Sequence, residues 1–194
     1  MLYPHWADVV RFCVNEPKIG VVNLLTNGVA KVSDDQLSVL KNIKVVVTLD
    51  HYGRKMLPVH QRMYDELRAA LIRQEISYTE INNENGSWYD FGGFHDRGYT
   101  KEKLEEVYRA CVYGNCVALN PDGTFAICNR QAYAHMLFPE EPYDMDGVID
   151  LNQEDDATVL AEKIQSLLQK KSLNICNRCN GIGITVPSGI QVET

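Results

Sequence analysis

Residues 44–50 read Lys-Val-Val-Val-Thr-Leu-Asp, a run of β-branched and aliphatic side chains closed by an acid. Branched side chains pack well on a pleated surface, and an unbroken apolar run suits a strand covered on both faces. The stretch therefore predicts a parallel strand inside an α/β fold. Upstream, Pro17 and Gly20 interrupt the chain before Val21-Val22-Asn23-Leu24-Leu25, a further strand, and downstream residues 76–81 alternate as a third. Helical spacings separate the three. Ser33 with Gln36 makes a capping-box start for a helix carrying Leu37 and Leu40, and Met63, Leu67, Ala70 and Leu71 mark one face of a long helix after Pro58. Trp6, Val9, Val10 and Cys13 have the same spacing ahead of the first strand, with Cys13 expected in the core. Such alternation predicts βαβ units with a parallel sheet over residues 1–82.

Three strands make a small parallel sheet, because such sheets bury apolar surface on both faces. The sequence also opens directly on a helix. The expectation is that strands preceding Met1 complete the sheet; the alternative is a small sheet completed by the C-terminal segment. An incomplete sheet would expose Leu25, Val47 and Ile81 and favour self-association through its open face.

Residues 83–108 hold Gly86, Gly92, Gly93 and Gly98 among aromatic residues, which read as a linker or lid loop over 83–100, then a short charged linker helix at 101–108. Residues 109–194 begin with two short apolar runs about Asn120-Pro121-Asp122-Gly123, a β-hairpin. A helix at 155–171 follows, carrying Leu160, Ile164, Leu167 and Leu168 on one face, with weak strand signals after Gly181.

The whole chain has 194 residues, with 19 Lys and Arg against 26 Asp and Glu, a net charge of −7. Phosphate neutralisation needs clustered cations, so duplex nucleic acid is not an expected partner. No apolar run is long enough to span a membrane and no leader pattern opens the sequence, so a cytoplasmic location is expected.

Six cysteines without a leader argue for metal or redox chemistry over a disulfide scaffold. Cys111, Cys116 and Cys128 surround the hairpin, and Cys176 and Cys179 form a CxxC after the last helix. Soft thiolates converging from rigid elements suit zinc or an iron–sulfur cluster, and five candidates compete for four positions. A two-residue turn would set Cys116 nearly opposite Cys128, while Cys111 lies on the approach to the first hairpin strand. A thiol redox role for Cys176 and Cys179 is weaker, because a CxxC after a helix lacks the N-terminal position that lowers a thiol pKa. His60, His95 and His135 have no metal-ligand spacing with one another.

The expected strand ends read Thr26-Asn27-Gly28, Asp50-His51-Tyr52-Gly53 and Asn82-Asn83-Glu84. Parallel α/β sheets place ligands there, and these groups could hydrogen-bond a ribose or an amino-acid moiety; the same residue types also begin turns.

Taken together, these residues resemble the radical S-adenosylmethionine superfamily from just after its second barrel strand. Three stretches carry the likeness. The run Tyr3-Pro4-His5-Trp6 to Asn15, with the strand ending Leu25-Thr26-Asn27-Gly28, is similar to the helix and TNG strand after that family's Gly-Gly-Glu segment. Val45-Val46-Val47-Thr48-Leu49-Asp50 with Tyr52-Gly53 resembles the next strand. Cys111-x11-Gly123-x4-Cys128 followed by Cys176-x2-Cys179 is similar to the twitch region, the shorter relative of the SPASM domain. The likeness covers nearly the whole chain. It implies an incomplete (β/α) barrel over 1–82, a loop and linker helix over 83–108, and over 109–194 a domain holding one auxiliary [4Fe-4S] cluster. Its ligands would be Cys128, Cys176 and Cys179 with Cys111 or Cys116.

Thr26, Asn27, Asp50 and Tyr52 would then line the S-adenosylmethionine and substrate cavity of the full-length enzyme, whose partners are an electron donor and a peptide or small-molecule substrate. The CxxxCxxC loop of the catalytic cluster is absent from the sequence, as is Gly-Gly-Glu, so this chain alone is expected to be inactive. The competing class is a stand-alone four-cysteine metal module, zinc or iron–sulfur, without catalysis.

Overall fold

The run at 44–50 forms β2 (Val45–His51), paired in parallel with β1 (Val22–Thr26) on one side and β3 (Tyr78–Asn82) on the other. The computed structural model describes residues 4–113, 116–140, 144–153 and 156–189; Met1, Tyr3, Asp155 and the tail beyond Gly189 lie outside them, as does the side chain of His135. The architecture is mixed α/β, with this small parallel sheet and further small sheets. Two compact units are present, residues 1–87 with 187–194, and residues 88–186. No helix among the described residues is long and apolar enough to cross a membrane.

In the first unit α1 (Trp6–Asn15), α2 (Asp34–Ser38) and α3 (Pro58–Arg73) alternate with the strands. Ser33 Oγ accepts from the Gln36 backbone N–H while Gln36 Oε1 accepts from Ser33 N–H, so the capping box forms and fixes where α2 starts. Leu37, Leu40, Val45, Val47, Leu49, Tyr64, Leu67, Leu71 and Ile76 share one core with Trp6 and Val10. Val9 faces out, and Cys13 is only half-buried and stands outside that cluster, because the buried stripe of α1 runs through Trp6, Ala7 and Val10.

The exposure expected of Val47 is overturned. Parallel register pairs Leu24 with Val47 and Leu25 with Thr48, so Leu25 and Val47 point to opposite faces. Val47 is 0% exposed in the core, whereas Leu25 is 61% and Ile81 46% exposed. Among the described residues, the C-terminal segment adds no strand to the parallel sheet. Its strand β8 (Thr185–Pro187) pairs instead with β4 (Ser87–Tyr89), a strand that the glycine-rich composition of 83–100 concealed.

In the second unit the hairpin of β5 (Ala118–Leu119) and β6 (Thr124–Ala126) forms about Asn120–Gly123, where Gly123 takes φ +85°. The Asn120 carbonyl accepts from Gly123 N–H, and Asp122 Oδ1 accepts from both the backbone and the hydroxyl of Thr124. A third strand, β7 (Val148–Asp150), extends this sheet antiparallel to β6 and was absent from the sequence expectation. The unit also contains α4 (Lys101–Arg109), α5 (Asn129–Ala132), α6 (Ala134–Leu137) and α7 (Ala157–Leu168). Asp156 caps α7 through Thr158 and Val159 N–H. Phe94, Ile127, Ala134, Leu167, Leu173, Ile175 and Cys176 form its core.

Candidate metal centre

Each cysteine reaches its place by a different local cause. Cys111 follows the end of α4, with its N–H bonded to the Tyr108 carbonyl. Cys128 leaves β6 in extended conformation and is the N-cap residue of α5. Cys176 and Cys179 belong to a 3₁₀ turn (Asn174–Arg178) and its cap, drawn inward because Leu173 and Ile175 are buried. All four line one cavity of about 470 Å³ within the second unit, together with Tyr108, Arg130, Tyr133, Phe138 and Leu173.

Cys116 is exposed and does not line this cavity. The hairpin register, Ala118 opposite Ala126, would bring 116 opposite 128 if it continued, but pairing stops at Ala118. Of the two competitors the fold brings Cys111, not Cys116, to Cys128, Cys176 and Cys179. Among the described residues no three His, Cys, Asp or Glu side chains converge tightly enough to hold a single metal ion. The thiols surround a volume and do not meet at a point.

Burial is the largest influence on these groups. It pushes the Cys176 thiol up to about 12, with the neighbouring Cys128, Cys179 and Cys111 adding to the rise. Cys128 is also raised, chiefly by burial, against backbone hydrogen bonds from Gln131 and Arg130 that favour its thiolate. Tyr108 shifts upward by burial and then by Cys176, Cys111 and Cys128. A Cys176 thiol held so strongly protonated is a poor nucleophile, which weighs against its serving as the attacking sulfur of a dithiol redox pair. Neutralisation by a bound cation would reverse the effect, since a metal binds the thiolate and releases the proton.

The CxxC loop is fastened to the glycine-rich stretch at 90–99, which the sequence presented as a linker or lid loop. Asn180 N–H donates to the Phe91 carbonyl at 3.0 Å, and its Oδ1 accepts from Arg97 Nε at 3.1 Å and Nη2 at 2.9 Å. Asn177 Oδ1 accepts from Tyr99 N–H at 2.7 Å, its carbonyl accepts from Arg97 N–H, and Asp96 accepts from its Nδ2. Arg178 Nη1 donates to the Phe94 carbonyl, and Arg130 Nη2 donates to the carbonyls of Gly92 and Gly93, both at 2.8 Å. Gly92 takes φ +72°, and a Cβ there would lie 2.5 Å from Arg97 Nη2 and from Asn180 Nδ2. Gly181 N–H donates to Cys179 Sγ at 3.3 Å. Repeated Asn and Arg beside the CxxC were the available sequence signal for this clamp.

In the first unit Thr26, Asn27, Asp50 and Tyr52 line one cavity of about 340 Å³ at the C-terminal ends of β1 and β2. Tyr52 donates to Asp50 Oδ2 at 3.1 Å and Asn83 Nδ2 donates to Asp50 Oδ1. Ser188 Oγ donates to the Asn83 carbonyl at 2.6 Å and in turn accepts from Lys55 Nζ at 2.7 Å, a pairing that sequence reasoning missed. Thr26 Oγ1 accepts from Gly28 N–H, and His51 Nδ1 accepts from Gly53 N–H, which leaves its Nε2 as donor to Gln61 Oε1. The strand ends thus present a carboxylate already held by two donors.

Compared with known proteins, the chain matches no family model, no curated protein and no solved structure.

Proposed function

We propose that this chain is the part of a radical S-adenosylmethionine enzyme that binds one auxiliary [4Fe-4S] cluster and helps line the cosubstrate and substrate cavity. The observation that carries the reading is the gathering of Cys111, Cys128, Cys176 and Cys179 on one cavity from three separate stretches of chain. The donor set fits in its chemistry: four soft sulfurs border one cavity, and Gly181 N–H already donates to one of them. When bound, such a group supplies one-electron transfer.

The protein's own contribution is to hold the thiolates and limit water. Tyr108, Tyr133, Phe138 and Leu173 give the cavity an aromatic and aliphatic wall, and the clamp from Arg97 and Asn177 fixes the CxxC loop. At the strand ends Asp50, oriented by Tyr52 and Asn83, would hold a hydroxyl or amine of the cosubstrate, with Thr26 and Asn27 beside it. No CxxxCxxC occurs in the sequence, so cosubstrate cleavage belongs to a part that carries one. An electron donor and a peptide or small-molecule substrate are the implied partners, and the incomplete barrel is part of the same reading.

Anaerobic reconstitution with iron and sulfide tests it. The expected product is brown protein with about four irons per chain, as ligation of a cubane by four cysteines requires. Stoichiometric zinc uptake with no affinity for iron would establish the stand-alone zinc module instead.

A further inference from the structure

Arg130 is a cation set into the wall of the four-cysteine cavity. It follows Cys128 by two residues, on the first turn of α5, and borders the same space as Cys111, Cys176 and Cys179. Its Nη2 is committed to the carbonyls of Gly92 and Gly93, and its guanidinium lies 5.3 Å from the centroid of the Phe94 ring. Its Nε, however, is buried with no hydrogen-bond partner among the described residues. A buried donor without an acceptor is a destabilising arrangement that folded proteins avoid unless something else supplies the acceptor. The acceptors lining this cavity are the cysteine sulfurs, the hydroxyls of Tyr108, Tyr113 and Tyr133 and the amide oxygen of Asn129, and of these the sulfurs are the ones a bound cluster would gather.

We propose that Arg130 is a positioning residue of the centre, whose Nε–H hydrogen-bonds a sulfur of the bound cluster or its ligands and whose fixed charge raises the reduction potential. The proposal rests on the cluster reading above. Four thiolates give the site net negative charge, and one-electron reduction adds another. A desolvated cation beside it favours the reduced form, because charge and hydrogen bonds to sulfur both set such potentials. Arg178 also lies 5.3 Å from the Phe94 centroid, but it does not line the cavity. Among the described residues, Arg130 is thus the guanidinium that borders the cavity of the thiols.

The test is a mediated redox titration of anaerobically reconstituted wild type, Arg130→Gln and Arg130→Lys, read by electron paramagnetic resonance alongside iron content. At the wild-type midpoint, Arg130→Gln should show a reduced-to-oxidised ratio about tenfold lower, which is about 59 mV for one electron. Arg130→Lys, which keeps the charge, should fall between the two. A full iron complement with an unchanged potential in Arg130→Gln would overturn the proposal and leave the cluster reading standing. If Arg130→Gln takes up no iron, Arg130→Lys decides: recovery of the cluster supports the role of charge, and equal loss assigns Arg130 to the Gly92–Gly93 clamp alone. Failure of the wild type to bind iron would overturn the cluster reading and this proposal with it.

Discussion

One oxygen of Asn180, Oδ1, accepts two hydrogen bonds from the guanidinium of Arg97, tying the residue after the CxxC to the loop before α4. The amide's other end donates to the Asp90 carbonyl at 3.2 Å, so the side chain bridges both limbs of that loop. Asn180→Ala should therefore loosen the CxxC without touching a ligand. The expected cost is about 1–3 kcal/mol in denaturant unfolding from the stranded donors, with about 10–100-fold weaker iron binding, as for other residues supporting ligands. Unchanged affinity would mean the clamp does not hold the cysteines.

Among the cysteines, Ala in place of Cys111, Cys128, Cys176 or Cys179 should abolish cluster uptake, measured as iron and sulfide per chain. Cys116→Ala should retain it, since Cys116 is exposed and away from the cavity, and so should Cys13→Ala in the other unit. Iron retained by Cys176→Ala would sink the ligand assignment, and iron lost by Cys116→Ala would move the fourth ligand to the hairpin.

Tyr52 gives a pH signature at the strand ends. Burial, then the charge of Asp50 and its hydrogen bond, push its phenol up to about 12 from an ordinary value of 10.0. In the folded protein the proton is held more tightly than in the unfolded chain. The stability due to this group is full below pH 10 and is lost as pH rises through 10 toward 12. Ultraviolet titration of wild type against Tyr52→Phe should show this phenol ionising late, and Asp50→Asn should bring it down. A phenol titrating near its ordinary value in the wild type would contradict the Asp50 contact.

The legible parts of the fold were those written in local chemistry. Val45 to Leu49 declared a strand through branching, and Ser33 with Gln36 declared a helix start through a reciprocal pair. An unbroken apolar run carries no parity, however, so nothing in it told that Val47 faces the core while Leu25 faces away; the partner strand's register decides that. The loop at 90–99 has no period because Asn177, Asn180 and Arg130 hold it through side chains from distant positions, Asn180 by way of the loop's own Arg97. The same limit applies at the centre, where spacing admitted both Cys111 and Cys116 and only the end of pairing at Ala118 separates them.

Gly28 closes β1 at φ +75°, where a Cβ would stand 2.8 Å from Tyr64 Cδ2 and 3.2 Å from Tyr64 Cα. The neighbour includes helix backbone, which cannot step aside as a flexible side chain could. Gly28→Ala should cost about 1–3 kcal/mol by combining left-handed strain with overpacking. A midpoint in urea equal to that of the wild type would show that α3 shifts freely at this point.

The outer face of the parallel sheet supplies the last prediction. Leu25, Val46 and Ile81 are exposed there, around a polar line in which Thr48 Oγ1 donates to Asn23 Oδ1 at 3.1 Å and Thr79 Oγ1 donates to Thr48 Oγ1 at 3.2 Å. Register places these residues together, since Asn23 lies opposite Val46, Leu25 and Thr79 opposite Thr48, and Ile81 opposite Asp50. Parallel sheets are normally covered on both faces, and β1 and β3 also stand as edges of this one. The isolated chain should therefore self-associate through this face, with a sedimentation coefficient that rises with concentration. Leu25→Lys together with Ile81→Lys should shift it toward monomer without lowering the unfolding midpoint, because neither side chain belongs to the core around Val47. A wild type that sediments as monomer at every concentration would show that the three apolar residues are too dispersed among Asn23, Thr48 and Thr79 to drive association.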